Sequence, residues 1–241
     1  MPSKIRLYFS KELKANLLSN LSNEQSHYIK NVMRLKPGDT ISLFNAANGE
    51  WDAKIVNHNK ENTEFKVEKL TKSKKSENEL WLAFSPIKKS YLDMMVQKTT
   101  ELGIRKFIPI LSDRTIVKEI NIERLKKIII EASEQSNRIS VPEIKNLEPL
   151  TSFLNKFPNE GSLIFCDINC DKRNLKDILS KENLGPVCIL IGPEGDFSER
   201  ERQLIIEKKE ISSLSLASNI LRAETAAIAA VTIVNYQLNF N

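Results

Sequence analysis

Near the C-terminus the chain reads LIGPEGDFSERE, Leu190 to Glu201, an apolar run broken by Gly-Pro-Glu-Gly and followed by a helix start. Ser198 and Glu201 stand at the spacing of a capping box. A turn from a buried strand into a helix is a place where ligands gather. Phosphate fits poorly, because its cradle needs several glycines and an uncompensated positive helix end. This loop has only Gly192 and Gly195 and carries Glu194 and Asp196. The charges suit a ligand with hydroxyls or a positive charge, read by backbone groups that glycines leave uncovered; a purely structural turn is the alternative. Downstream, LASNILRAETAAIAAVTIV (216–234) sets Arg222 and Glu224 at the mouth of an alanine-rich helix. An arginine there opposes the helix macrodipole at a cost of a few tenths of a kcal/mol or more. Another interaction should therefore explain Arg222, a functional one among the candidates. The small side chains beyond it allow close approach on several faces, which predicts a helix buried against more than one neighbour.

The elements that must hold these residues divide into two rhythms. Up to residue 72 the chain reads mainly as short alternating strands, TISLF (40–44), WDAKIVN (51–57) and TEFKVEKL (63–70), with a hairpin turn at Ala47-Asn48-Gly49. One helix interrupts, announced by Ser22 with Gln25 three residues on. A small β-barrel over residues 1–72 is expected, then a linker at 73–79 within an entirely polar stretch. From residue 80 to 241, apolar runs LWLAF, KFIPIL, SLIFC, PVCILI and SLSL alternate with amphipathic segments. Leu92, Met95, Val96, Thr99 and Leu102 share one helical face ended by Gly103; Ile122, Leu125, Ile129 and Ala132 share another. This is the pattern of an α/β domain with a parallel sheet covered by helices, whose ligands collect at the C-terminal ends of the strands.

Composition narrows the classes. The 241 residues are 41% apolar and 28% charged, and no apolar run nears the ~20 residues of a membrane span. The N-terminus lacks the apolar block of a signal peptide, so a cytoplasmic protein with no membrane partner is expected. Cys166, Cys170 and Cys188 lack the spacing of a zinc site or a disulfide framework, and no metal is expected. The net charge of +5 is uneven: residues 1–80 hold 14 Lys and Arg against 10 Asp and Glu, and the remainder is nearly balanced. A basic module beside a near-neutral one suits a polyanion such as nucleic acid, although ordinary solubilising charge is the plain alternative.

The stretches IGPEGDFSERE and SLASNILRAETAA, together with KKSYLDMMVQKTTELGI (88–104), EASEQSNRISVP (131–142) and HYIKNVMRLKPGD (27–39), resemble the motifs of RsmE-type ribosomal RNA methyltransferases of the SPOUT class. The five blocks run in matching order over nearly the whole chain. The resemblance implies a C-terminal SPOUT α/β domain with a deep trefoil knot and a small N-terminal PUA-like β-barrel that binds RNA. It implies S-adenosylmethionine as cofactor, a homodimer, and methylation of N3 of a uridine near the decoding region of 16S rRNA in the small ribosomal subunit. It places Cys166, Asp167, Leu190, Ile191, Gly192, Glu194 and Gly195 on one side of the cofactor, and Leu216, Ala217, Ser218, Asn219 and Leu221 on the other. The acidic, glycine-poor loop that fails as a phosphate cradle is compatible with a sulfonium cation. Where the family has Gly and Arg in LGxRILR, this chain has Ala217 and Asn219.

Methylation at uridine N3 needs loss of a proton and stabilisation of the negative charge spread onto the flanking carbonyls. The only histidines, His27 and His58, lie outside the strand-helix domain, which leaves carboxylates and arginines. Arg222 and Arg138 are expected to face the uracil or its phosphate, with Glu101 or Glu224 as proton acceptor or orienting partner. Plain readings stand beside these, Glu101 as a solvated helix charge and Glu224 as a first-turn dipole partner. Arg6, His27 and Arg34 in the barrel, with Lys88, Lys89 and Arg114, are the expected RNA contacts. The rival functions are methylation at another RNA position, such as a ribose 2′-hydroxyl, and a non-catalytic RNA-binding or assembly factor.

Overall fold

The computed structural model describes residues 5–60, 62–74, 76–170, 175, 179, 185–209 and 211–240. The chain forms two compact units, one of residues 1–76 with 133–141 and one of residues 77–132 with 142–241. Residues 133–141, which the sequence pattern assigns to the second domain, thus cluster with the first.

The first unit is built on β1 (Arg6–Tyr8), β2 (Leu18–Asn20), β3 (Thr40–Asn45), β4 (Gly49–His58) and β5 (Thr63–Lys72), in the sheet order β1-β3-β4-β5-β2. Between β2 and β3, α1 (Asn23–His27) continues into a π-helical turn, Tyr28–Val32. Ser22 caps α1 in the expected box with Gln25. The hairpin glycine is obligatory: Gly49 has φ +84°, and a Cβ there would lie 2.3 Å from the Lys72 carbonyl oxygen. Alternation buries Ile41, Leu43, Ala53, Ile55, Phe65 and Val67 on one side, and Ile29 and Phe9 close over them. Each large side chain so buried contributes about 1.5–3 kcal/mol.

The second unit runs β6 (Leu80–Phe84), α2 (Lys89–Glu101), β7 (Lys106–Leu111), α3 (Ile122–Gln135), β8 (Glu143–Ile144), β9 (Glu148–Pro149), α4 (Leu150–Lys156), β10 (Ser162–Cys166), β11 (Val187–Ile191), α5 (Glu199–Ile206), β12 (Ile211–Leu214) and α6 (Ala223–Phe240). The last residues of α3 fall among those that cluster with the first unit. The sheet is parallel, ordered β12-β10-β11-β6-β7-β8, and β9 pairs with β7. All five residues of β11 are buried, as a strand covered on both faces requires. The strand expected at SLSL ends two residues early, because its partner β10 stops at Cys166, opposite Leu214. Helix α6 buries Ala227, Ala230, Val231 and Val234 and packs on both α2 and β11, the two-sided burial expected of its alanines. Gly103, at φ +105°, ends the turn after α2, and Asn235 of α6 donates to the carbonyl of Leu102 at 2.9 Å.

Candidate active site

Strand order reverses between β6 and β11, and the C-terminal ends of those strands, with β7 beside them, bound the crevice that such a reversal creates. The Ser85 amide, just past β6, donates to the carbonyl of Ile191 at 3.1 Å. Its hydroxyl lies 3.1 Å from that of Ser112, past β7, which in turn lies 2.7 Å from the Thr115 hydroxyl. This buried hydroxyl row ties the loop after β7 to the end of β6.

The loop after β11 is anchored by Phe197, whose ring packs edge-on against Phe165 at 5.6 Å. Gly192 is small for that reason: a Cβ would stand 3.0 Å from the Phe197 ring. Asp196 adopts φ +59° and accepts the Phe197 amide on its own carboxylate at 2.8 Å. Ser198 and Glu201 form the expected capping box at the start of α5. Glu201, buried, also accepts the Asp113 amide at 2.7 Å, and the Ser198 hydroxyl donates to Asp113 at 2.6 Å. Arg114 donates to the Gly195 carbonyl at 2.9 Å. Two loops are therefore locked together, leaving Glu194 and Gly195 exposed at their rim. Arg114, expected at the RNA, is a strut of this loop pair.

A second segment of expected cofactor residues follows β12. Leu216 and Leu221 are half-buried, whereas Ala217, Ser218, Asn219 and Ile220 are exposed. Cys166 ends β10, and burial raises its thiol to about 12, which keeps it neutral at physiological pH. The carboxylate of Asp167 is buried and holds Arg202 at 2.9 and 3.2 Å, so it acts as a structural pivot. Leu190 and Ile191 form the buried apolar floor.

Arg222 immediately precedes α6, its carbonyl accepting the Ala226 amide at 2.8 Å. Its guanidinium reaches the Tyr91 hydroxyl at 3.4 Å and lies 5.7 Å from the ring centroid. Tyr91 escaped the sequence reading; its place three residues after Lys88 in KKSYLDMM was the available signal. Lys88 and Lys89 begin α2 with no acid in its first turn, so the cations Lys88, Lys89 and Arg222 share one end of the helix. Glu224, in the first turn of α6, is 6% exposed, and no hydrogen bond or ion pair to its side chain occurs among the described residues.

Glu101 and Arg138 have other partners within their own units. Glu101 closes α2 at the far end from Tyr91, about 15 Å along the axis, and pairs with Lys98 at 2.9 Å, so one chain does not bring it to Arg222. Arg138 belongs to the first unit, where its side chain reaches the Ser140 hydroxyl at 3.1 Å. Of the barrel residues, His27 and Arg34 are exposed. The Arg6 side chain is only 9% exposed, and all five of its N–H donors are used, two on Glu50 and the others on the carbonyls of Ser133, Glu134 and Arg138. That geometry makes it an internal clamp, with no donor left for a phosphate. No group of three His, Cys, Asp or Glu residues able to hold a metal ion occurs among the described residues.

A family model described as an RNA methyltransferase domain matches residues 74–235, and one described as an RNA methyltransferase PUA domain matches residues 21–68. The ribosomal RNA small subunit methyltransferase E of Rickettsia conorii is 36% identical over 94% of this chain and 93% of its own length. Its namesake from Buchnera aphidicola is 32% identical over 94% of each. The crystal structure of the same enzyme from Neisseria gonorrhoeae, bound to S-adenosylmethionine, superposes with a TM-score of 0.89 at 28% identity, over 99% of this chain and 100% of that one. This chain is a member of the ribosomal RNA small subunit methyltransferase E family.

Proposed function

We propose that the protein transfers a methyl group from S-adenosylmethionine to N3 of a uridine in the decoding region of 16S rRNA, acting on the small ribosomal subunit as a cytoplasmic homodimer. The observation that carries this reading is the juxtaposition of Arg222 and Tyr91 at the mouth of α6 with Glu224, a buried carboxylate to which no partner is seen among the described residues. The residues present fit the cofactor: the loop at Gly192–Gly195 exposes backbone and acid with no excess of cation, which suits a sulfonium and repels a phosphate. When bound, S-adenosylmethionine supplies an electrophilic methyl group. Gly192, Glu194 and Gly195 would hold it from one side and Leu216 to Leu221 from the other, above the floor of Leu190 and Ile191. The two walls would be parts of a trefoil knot.

The chain's own groups then meet the demands of N3 chemistry. Arg222, oriented by Tyr91, stabilises the negative charge that develops on the uracil carbonyls. Glu224 accepts the N3 proton or orients the group that does. Lys88 and Lys89 hold the backbone phosphates beside it, helped by the positive end of α2. Arg138 would meet the uracil or its phosphate. Glu101 would join only from a second copy. The homodimer reading is supported by exposed apolar side chains on two helices that pack side by side, Tyr91 and Met94 on α2 and Ile233 and Tyr236 on α6, each 38–62% exposed. The first unit would dock the RNA as a PUA-like domain.

The test is a methyl-transfer assay offering free 16S rRNA and assembled small subunits, followed by mapping of the modified nucleotide. Incorporation at a uridine N3 is expected, and no incorporation into either substrate would sink the enzymatic reading. Ala217 and Asn219 favour a second reading, a factor that kept the fold and lost turnover. Calorimetric uptake of S-adenosylmethionine separates the two, since a pure binder need not take it up.

A further inference from the structure

The π-helical turn of the first unit presents a surface that the methyl-transfer site does not account for. The Met33 amide donates to the Tyr28 carbonyl five residues back at 2.9 Å, so Val32 and Met33 come one turn above Tyr28. Ile29, between them, is fully buried and fixes the opposite face against the core. Tyr28, Val32 and Met33 are consequently turned outward, at 40%, 58% and 37% exposure. The Tyr28 side chain makes no ring contact or hydrogen bond among the described residues. An exposed aromatic and two apolar side chains in water forfeit burial that the fold could have used elsewhere.

The electrostatics around this ridge are one-sided. Residues 24–36 carry Lys30, Arg34 and Lys36 against the single acid Glu24, and all three cations are exposed. Arg34 adopts φ +55°. The other described non-glycine residues with positive φ are Asn16, Asn137 and Asp196, types that tolerate that region through local hydrogen bonding. Arg34 holds the left-handed position that ends the helix, where the Leu35 amide donates back to the Ile29 carbonyl at 3.0 Å. This cap places a cation immediately after the apolar ridge.

We infer that Tyr28, Val32 and Met33, flanked by Lys30, Arg34 and Lys36, form a stacking platform for an unpaired nucleotide of RNA. The base would lie on the Tyr28 ring with Val32 and Met33 beneath its edge, and the cations would follow the adjoining phosphates. Aromatic and apolar surface interleaved with cations matches a single strand, whose bases are free to stack; a duplex buries those faces. The inference rests on the RNA-substrate reading and adds to it a preference for unpaired RNA at the first unit.

The experiment uses the full chain and a fluorescein-labelled oligouridine of about 12 nucleotides, with an RNA duplex of equal length as comparison. The oligouridine should bind more tightly than the duplex. Tyr28→Ala should weaken its binding roughly 5- to 100-fold and leave the salt dependence unchanged, whereas Tyr28→Phe retains binding. Arg34→Ala should lower the slope of log affinity against log salt by about 0.7. Equal binding of strand and duplex, or undiminished binding by Tyr28→Ala when its melting temperature matches the parent, would overturn the platform. So would a change in sedimentation of Tyr28→Ala, which would assign the ridge to contact between copies. Failure of the underlying function reads differently, as absence of methyl incorporation into small subunits by the unsubstituted protein.

Discussion

Arg6 and Glu50 meet as a two-pronged pair, Nε to Oε1 at 3.2 Å and Nη2 to Oε2 at 2.9 Å, with their side chains only 9% and 7% exposed. The guanidinium also lies over the Phe44 ring at 4.3 Å and binds the carbonyls of Ser133, Glu134 and Arg138. Removing the cation leaves the buried carboxylate with only Ser42 and Lys72 and takes the guanidinium from three carbonyls together. Arg6→Ala should therefore destabilise the first unit by about 3–5 kcal/mol. Urea denaturation followed by Trp51 fluorescence checks this, and an unchanged midpoint would return Arg6 to the candidate RNA contacts.

The same pair sets a pH dependence. Burial pushes the Glu50 carboxyl up, but hydrogen bonds from Arg6, Ser42 and Lys72 and the Arg6 charge outweigh it and hold the group below the usual carboxylate range. A depressed carboxylate contributes stability that is complete above its unfolded value, about 4.3, and is lost as pH falls through the folded value. Acid titration should show the first unit loosening below pH ~4, and Glu50→Gln should flatten that limb of the curve.

Arg222 and Tyr91 act at the reacting base in the proposed chemistry. Arg222→Ala should lower kcat on small subunits by about 10²–10³-fold with little change in melting temperature, as expected for an exposed side chain that stabilises developing charge. Arg222→Lys restores the charge without the guanidinium that reaches the Tyr91 hydroxyl and should recover only part of the rate. Normal turnover in Arg222→Ala would remove it from the site.

Much of this was legible beforehand, and the misses share a cause. Both capping boxes, the hairpin glycine and the strand-helix alternation are local, set by residues a few positions apart. The loop at 192–198 was found because its glycines and acids are adjacent. Tyr91 beside Arg222, Arg114 on Gly195 and Arg6 among the 133–138 carbonyls join residues far apart in the chain, and no periodicity encodes them. Sequence alone reads Arg6 as a phosphate contact, because a lone arginine in a basic module looks the same whether it faces solvent or a buried glutamate.

Ala217 and Asn219 stand where the family pattern has Gly and Arg, and both are exposed in the segment after β12. Ala217→Gly removes a methyl group where backbone would approach the cofactor and should tighten S-adenosylmethionine binding by calorimetry. Asn219→Arg adds a cation and should lower KM for small subunits. Loss of affinity in Ala217→Gly would show that the methyl group is accommodated.

The exposed apolar face on α2 and α6 predicts an interface. Ile233→Glu sets a charge beside Tyr236 on the exposed face of α6 and should convert a dimer to monomers in sedimentation velocity while leaving the monomer folded, since Ile233 is 41% exposed. An unchanged sedimentation coefficient would exclude this face as the contact.

β6 is among the first strands of its sheet to be made, yet one of its edges is completed only by β11, where Leu80 pairs with Val187. During synthesis that edge, flanked by Leu82 and Phe84, waits for the ribosome to deliver much of the remaining chain. Closure of such a distant pairing is slow, and an open apolar edge is sticky meanwhile. The order of strands in this sheet thus makes the newborn polypeptide dependent on protection from its neighbours until its last third has emerged.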